Sequence, residues 1–330
     1  MNGQLVEAIE LLKRLPEKGI EKALEQLREI KDECEKEEEK GVRPCPHCGS
    51  TQVVRNGRRN GKQAYLCREC RKSFVETTKT CIFGSHRGEA VWKQVITDTV
   101  NGVSLDRTAD SLMLHHETVF NMRHKILFCL EREDMRNPTQ LEGVCEADET
   151  YLLENYKGKK LPPDFWRKSR KHGAVAEKRG LSNEYICICA GVERGGGVVS
   201  KAVNRAMADK DDIDRALGER VNEKTVILAD GAKGYDALGK SRNCTIIHAN
   251  PEGGTSCHIN TVNGYHSHIK ERHLRARGFA TKYLNRYNAL FSKTYRGTNE
   301  IVEEIYRLMC AASGQNHTIR ETQTLNLLLI

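Results

Sequence analysis

Nowhere do 18 apolar residues follow one another, and the N-terminus lacks the pattern of a secretory leader. Neither a membrane span nor export is expected, and the chain is expected in the cytoplasm. A disulfide scaffold is also missing. Of thirteen cysteines only four are grouped at metal-ligand spacing, and the other nine are scattered through apparent strands and helices, as reduced core thiols are. Acids are locally scarce. Residues 41–87 hold ten Lys or Arg and two acids, and residues 264–296 hold eight and one. Residues 1–40 reverse the balance with 8 basic and 12 acidic side chains, so the remainder carries 45 against 33, or +12 of a net +8. A basic body behind an acidic leader points to nucleic acid. At 330 residues and 38% hydrophobic content the chain can hold two or three domains and a sizeable core.

Residues 1–40 read as a helical arm, with apolar positions Leu5, Ile9, Leu12, Ile20, Leu24, Leu27 and Ile30 and a division at Pro16. Residues 41–80 follow with the most specific local pattern in the chain. Cys45 and Cys48, then Cys67 and Cys70, have the spacing of a four-thiolate zinc ribbon holding one structural Zn²⁺. QVVRNG and KQAYLC read as a hairpin turning at Arg59-Asn60-Gly61, with so little core that zinc must supply the stability. Arg55, Arg58, Arg59, Lys62, Arg71 and Lys72 are then candidates to grip DNA phosphates, while Tyr65 and Phe74 are packing residues.

Residues 86–137 read as three helices. Asn101-Gly102 ends the first, Ser104 caps the second, and Leu114-His115-His116 turns into a third that starts near Glu117. That is helix-turn-helix spacing, with His116, Thr118, Asn121, Arg123, His124 and Lys125 as the groove-facing candidates.

Beyond Pro138, GVCEADETYLLE reads as a strand with Asp148 in its middle, flanked by Glu146 and Glu149, both able to serve as metal ligands. TVILADGAKGY is a buried strand stopped by Asp230 and Gly231. In HINTVNGYHSHIK, Asn263, Ser267 and Lys270 share one helical face. Two strand acids and a polar helical residue can converge on a divalent ion, and hard oxygen ligands suit Mg²⁺. Between the Asp148 strand and NEYICICAGVER lies a basic insertion, residues 154–182, expected as a mobile loop beside DNA.

The words EADETY, LADGAKGY, HINTVN and YLNRYN resemble those of bacterial insertion-sequence transposases with an N-terminal zinc ribbon, members of the DDE superfamily. The resemblance runs from about Cys45 to Asn288. It implies a multidomain α+β chain whose ribonuclease-H-like α/β catalytic domain, residues 141–312, has a mixed five-stranded sheet, with a tail over 313–330. Asp148, Asp230 and Asn263 would hold two Mg²⁺ ions, or Mn²⁺ in their place, and Glu149 would be a neighbouring contact. Lys270, seven residues after Asn263, would contact the scissile or adjacent phosphate, with Arg272 on the same basic flank. Asn263 departs from the three-carboxylate pattern. The implied partners are the element's terminal inverted repeats and target DNA, bound by a homodimer or larger assembly at the nucleoid, with no membrane. The implied activity is strand cleavage and strand transfer. The alternatives are a transposase-derived regulator that only binds DNA, or a nuclease that cuts without joining.

Overall fold

A computed structural model describes residues 44–158, 161–168, 170, 175–231, 233–249, 257–297 and 300–311, with Gly19 and Ile20. Apart from that helical pair, the arm expected over 1–40 lies outside the described residues, as does the tail over 313–330. The chain divides into two units, residues 1–78 and 79–330. No described helix is long and apolar enough to cross a membrane.

In the first unit, β1 (Val53–Arg59), β2 (Lys62–Cys67) and β3 (Ser73–Val75) form an antiparallel sheet in that order. The hairpin turns at Asn60 and Gly61, whose φ angles of 50° and 78° are both positive, as a two-residue turn between twisted strands requires. Tyr65 stacks on Phe74 at 5.5 Å, as packing residues do. Buried Phe74 and Ala64 supply nearly all the apolar interior besides the cysteines.

The second unit begins with α1 (Glu89–Val100), α2 (Leu105–Leu112) and α3 (His116–Arg136). Ser104 caps α2 by accepting the Arg107 N–H at 3.3 Å. Then come β4 (Gly143–Leu153), β5 (Tyr185–Glu193), β6 (Val198–Arg205), α4 (Lys210–Leu217), β7 (Thr225–Ala229), α5 (Lys233–Arg242) and β8 (Thr245–His248). The chain closes with α6 (Asn260–Arg275), α7 (Leu284–Thr294) and α8 (Ile301–Ala311). The five strands lie in the order β6-β5-β4-β7-β8; β4, β5 and β6 pair antiparallel, whereas β7 runs parallel to both β4 and β8. This is the mixed five-stranded sheet that the resemblance implies.

Alternation along YICICAGVE gives β5 two apolar faces. Ile186, Ile188, Ala190 and Val192 enter a core shared with α1, α3, α6, α7 and α8, and Cys187 and Cys189 enter a second core under α4 and α5. Sandwiched this way, β5 is apolar from Ile186 to Val192, whereas its neighbour β4 carries Glu146, Asp148, Glu149 and Thr150. The three-helix region shares the first core, with Trp92, Ile96, Ile126 and Leu127 in the same cluster as Ile186 and Ile188.

The basic insertion turns part of its charge inward. Arg170 donates to the Glu154 carbonyl at 2.8 Å and pairs with the buried Glu184 carboxylate, while Arg205 reaches across from β6 to buried Glu154. Buried acids thus tie the described part of the insertion to the sheet.

Candidate active site

Parallel pairing of β4 with β7 places Ala147 beside Ala229 as its last rung, so Asp148 and Asp230 follow on adjacent strands. Glu149 comes next on β4 and accepts the Tyr235 hydroxyl at 2.7 Å. Oxygens of Asp148, Glu149 and Asp230 all lie within 4.8 Å of one another, a separation that one divalent ion can bridge. Burial pushes the Asp148 carboxyl up to about 6, and the negative charges of Asp230 and Glu149 add to the rise while Lys270 opposes it. Glu149 is raised by burial too, against the Tyr235 hydrogen bond. Three acids that repel one another in a half-buried setting are relieved by a cation, so the donor set fits a metal.

Helix α6 is fixed to the sheet by a residue read as a possible ligand. Glu146 is fully buried and accepts the backbone N–H groups of Thr261 at 2.6 Å and Val262 at 3.1 Å, the Thr261 hydroxyl at 2.9 Å, and Arg194 Nε at 2.7 Å. It serves the N-terminus of α6 and not a metal. The physical reason is strand geometry: a side chain two residues before Asp148 on the same face meets the start of the helix. Burial alone would raise its carboxyl, but Arg194, Thr261 and Val262 together hold it below the usual carboxylate range. A depressed acid contributes stability that is present above its unfolded titration range and lost as pH falls through the folded one. Glu146→Gln should therefore destabilise the chain by about 2 kcal/mol at pH 7, with a smaller difference at pH 3, read by thermal melting. Equal melting at both pH values would remove Glu146 as the charged anchor.

So anchored, α6 carries Asn263, His266 and Lys270 at i, i+3 and i+7, with His266 and Lys270 close to Asp148. His266 Nδ1 lies 3.7 Å from Asp148 Oδ2. Burial first, then Lys270, lowers His266 to about 4, so it is neutral at pH 7. Asn263 is exposed on the same helix, and Ser267 is also exposed and donates to the Asn263 carbonyl at 3.0 Å. His268 packs among Tyr265, Phe291 and Tyr295. The sequence reading had no role for His266 beside Asp148. Its signal was present as the position one turn after Asn263.

In the first unit the Sγ atoms of Cys45 and Cys70 are 3.6 Å apart, as are those of Cys48 and Cys67. Four sulfurs at ~2.3 Å from a tetrahedral zinc would be about 3.8 Å apart, so the four thiols fit that ion. The backbone N–H of Cys70 helps to lower the Cys67 thiol to about 7, while its neighbour Cys48 is raised to about 12. Arg55, Arg58, Arg59, Lys62, Arg71 and Lys72 are all exposed around this module.

Residues 140–296 match the model of the ISXO2-like transposase domain. A protein in transposable element ISH50 of Halobacterium salinarum, itself uncharacterized, is 25% identical over 254 residues, covering 75% of this chain and 83% of that one. Both findings support an insertion-sequence transposase of the DDE type. Among solved structures, a pre-cleavage Mos1 transpososome is similar at 12% identity over 68% of this chain and 79% of that chain, with a TM-score of 0.27. A Mos1 strand transfer complex is similar at 14% identity over 70% and 80%, with a TM-score of 0.28.

The chain departs from its sequence reading along α3. Arg123 is 8% exposed and donates to the Val103 carbonyl at 2.8 Å, so it braces the α2 entry and does not face a groove. His124 is buried against Phe120 and Tyr283, each ring centroid 4.2 Å away, and burial pushes it down to about 3. Lys125 is half-buried, and its ammonium is lowered by desolvation. The cause is length: α3 runs 21 residues, and beyond its first turns it is covered by the shared core and by α7. His116 stays exposed and Thr118 and Asn121 half-exposed at its N-terminal end. Arg272 is likewise half-buried, with Nη1 donating to the Val100 carbonyl at 2.7 Å. Lys270 stays exposed.

Proposed function

We propose that this chain is a transposase that binds the terminal inverted repeats of its element, cuts a strand there to free a 3′-hydroxyl, and joins that end to target DNA. The observation that carries the reading is the convergence of Asp148, Glu149 and Asp230 beside α6, whose His266 and Lys270 lie close to Asp148. Asp148 and Asp230 would hold the ions, with Asn263 adding a neutral oxygen from α6 and Glu149 a third carboxylate within reach. Mg²⁺ bound there would activate the attacking oxygen and stabilise the leaving one. Lys270 places a point cation where charge develops on the phosphoryl oxygens. Tyr235 keeps one Glu149 oxygen occupied, which aims the other. Neutral His266 packs on the Asp148 side and excludes water from it.

Zinc held by the four cysteines would keep the basic face of residues 44–78 in shape for phosphates, and the exposed N-terminal turn of α3 would enter a groove. Two ends must be held at once, so the working form is a dimer or larger assembly. The deciding experiment incubates full-length protein with DNA carrying the element's ends. Divalent-ion-dependent nicks and joined products are expected; nicks without joined products would leave a nuclease, and binding alone a regulator.

Binding should be steeply salt-dependent, each neutralised phosphate adding roughly 0.9 to the slope of log affinity against log salt. Deleting residues 1–78 should lower that slope by about 2 or more, since the seven exposed basic side chains of residues 44–78 go with them. An unchanged slope would mean that this module does not touch DNA.

A further inference from the structure

On the α4 and α5 side of the sheet, a cleft of about 560 Å³ opens directly beside Asp230 and Glu149. That volume is within the range of small-ligand sites, ~300–1,000 Å³. Its walls differ in chemistry. Lys210 begins α4 and Lys233 begins α5; both line the cleft, both are exposed, and neither has an ion pair among the described residues. Between them lie Ile213, Ala237 and Met207, whose side chain is 70% exposed.

The two helix starts can approach because residue 234 is glycine. A Cβ there would meet Ile213 Cδ1 at 2.5 Å, with the Lys210 backbone at 3.6 Å. Of the acids in the lining, Asp209 is already used, accepting the N–H groups of Asp211 and Asp212 at 2.9 Å each as the cap of α4. Glu149 and Asp230 belong to the cation site. With a divalent ion there, two free ammonium groups and an apolar wall remain to receive a ligand, a combination that suits an anionic group joined to a flat apolar body.

We propose that this cleft seats one nucleotide of the DNA strand lying over Asp230, its base against Met207 and Ile213 and its phosphate between Lys210 and Lys233. The proposal rests on the transposase reading and adds a subsite to it. Met207, Ile213 and Ala237 offer shape and no base-edge hydrogen bonds, so the cleft takes any base and positions the strand without reading it. Lys210 and Lys233 are positioning residues, apart from the acids that hold the ions.

The probe is an eight-nucleotide single strand with 2-aminopurine at its centre, titrated into the full chain in Mg²⁺ and read by fluorescence. Binding should change the emission in the unaltered protein. Met207→Asp should remove that change. Lys210→Gln with Lys233→Gln should weaken binding roughly tenfold and flatten the salt slope by about 0.7, the contribution of one phosphate of a single strand. All three side chains are exposed, and thermal melting checks that the variants fold. Unchanged emission and affinity in both variants overturns the proposal. If Asp230→Asn stops cutting while the cleft variants bind and emit as the parent does, the subsite fails and the transposase reading stands. If the cleft variants behave as expected but no divalent ion supports cutting or joining, the subsite stands and the transposase reading fails.

Discussion

Replacing Asp148 by Asn should lower strand cleavage and joining by roughly 10³-fold or more and at the same time make the metal-free protein more stable. The activity loss follows from removing a charge from a site that must hold ions whose electrostatic contribution is several kcal/mol. The gain in stability follows from the titration of Asp148, near 6 in the fold against 3.8 in a free chain. An acid raised on folding is destabilising when ionised. The cost is absent below pH 3.8, grows through the window from 3.8 to 6, and is full above it, up to about 3 kcal/mol. Asparagine does not ionise, so Asp148→Asn should gain on the order of 1–3 kcal/mol at pH 7 and nothing at pH 3.5. Melting curves in chelator at the two pH values provide the check. Adding Mg²⁺ should then stabilise the parent more than the variant. Equal stability at pH 7 would mean that the acids do not repel one another as their placement requires. Asp230→Asn should silence activity to the same degree, whereas Asn263→Ala should be milder because water can replace a neutral ligand. Full activity in Asn263→Ala together with loss in Glu149→Gln would give the third ligand position to Glu149.

Cys67→Ser should release the zinc and unfold residues 44–78 while residues 79–311 keep their melting transition. The module has almost no interior beyond Phe74, Ala64 and the thiols themselves, and a structural zinc supplies about 10 kcal/mol or more of folding free energy in modules of this size. Affinity for the repeats should fall at least ~10-fold, since the exposed basic residues lose their common frame. Metal analysis of the purified parent and variant is the measurement. A parent with no stoichiometric zinc would remove the metal from the ribbon, and a variant that binds DNA as the parent does would remove the ribbon from DNA binding.

Periodicity and punctuation alone placed Asp148 within a strand and Asp230 at the end of another, because a buried strand is a short apolar run and the acid that stops it is visible as such. The same held for the cysteine spacing, the Asn60-Gly61 turn and the Ser104 cap, all of which depend on contacts within a few residues. Tertiary structure decided the rest. Only the parallel pairing of β4 with β7 brings Asp148, Glu149 and Asp230 within 4.8 Å, since no local rule fixes which strands become neighbours. Only the approach of α6 turns Glu146 from a candidate ligand into the anchor of that helix, and sets His266 against Asp148. Arg123 and Arg272 show the same limit from the other side. A basic residue on a helix reads as surface in sequence, but burial depends on what packs over the helix, and here both guanidinium groups are spent on backbone carbonyls inside the fold.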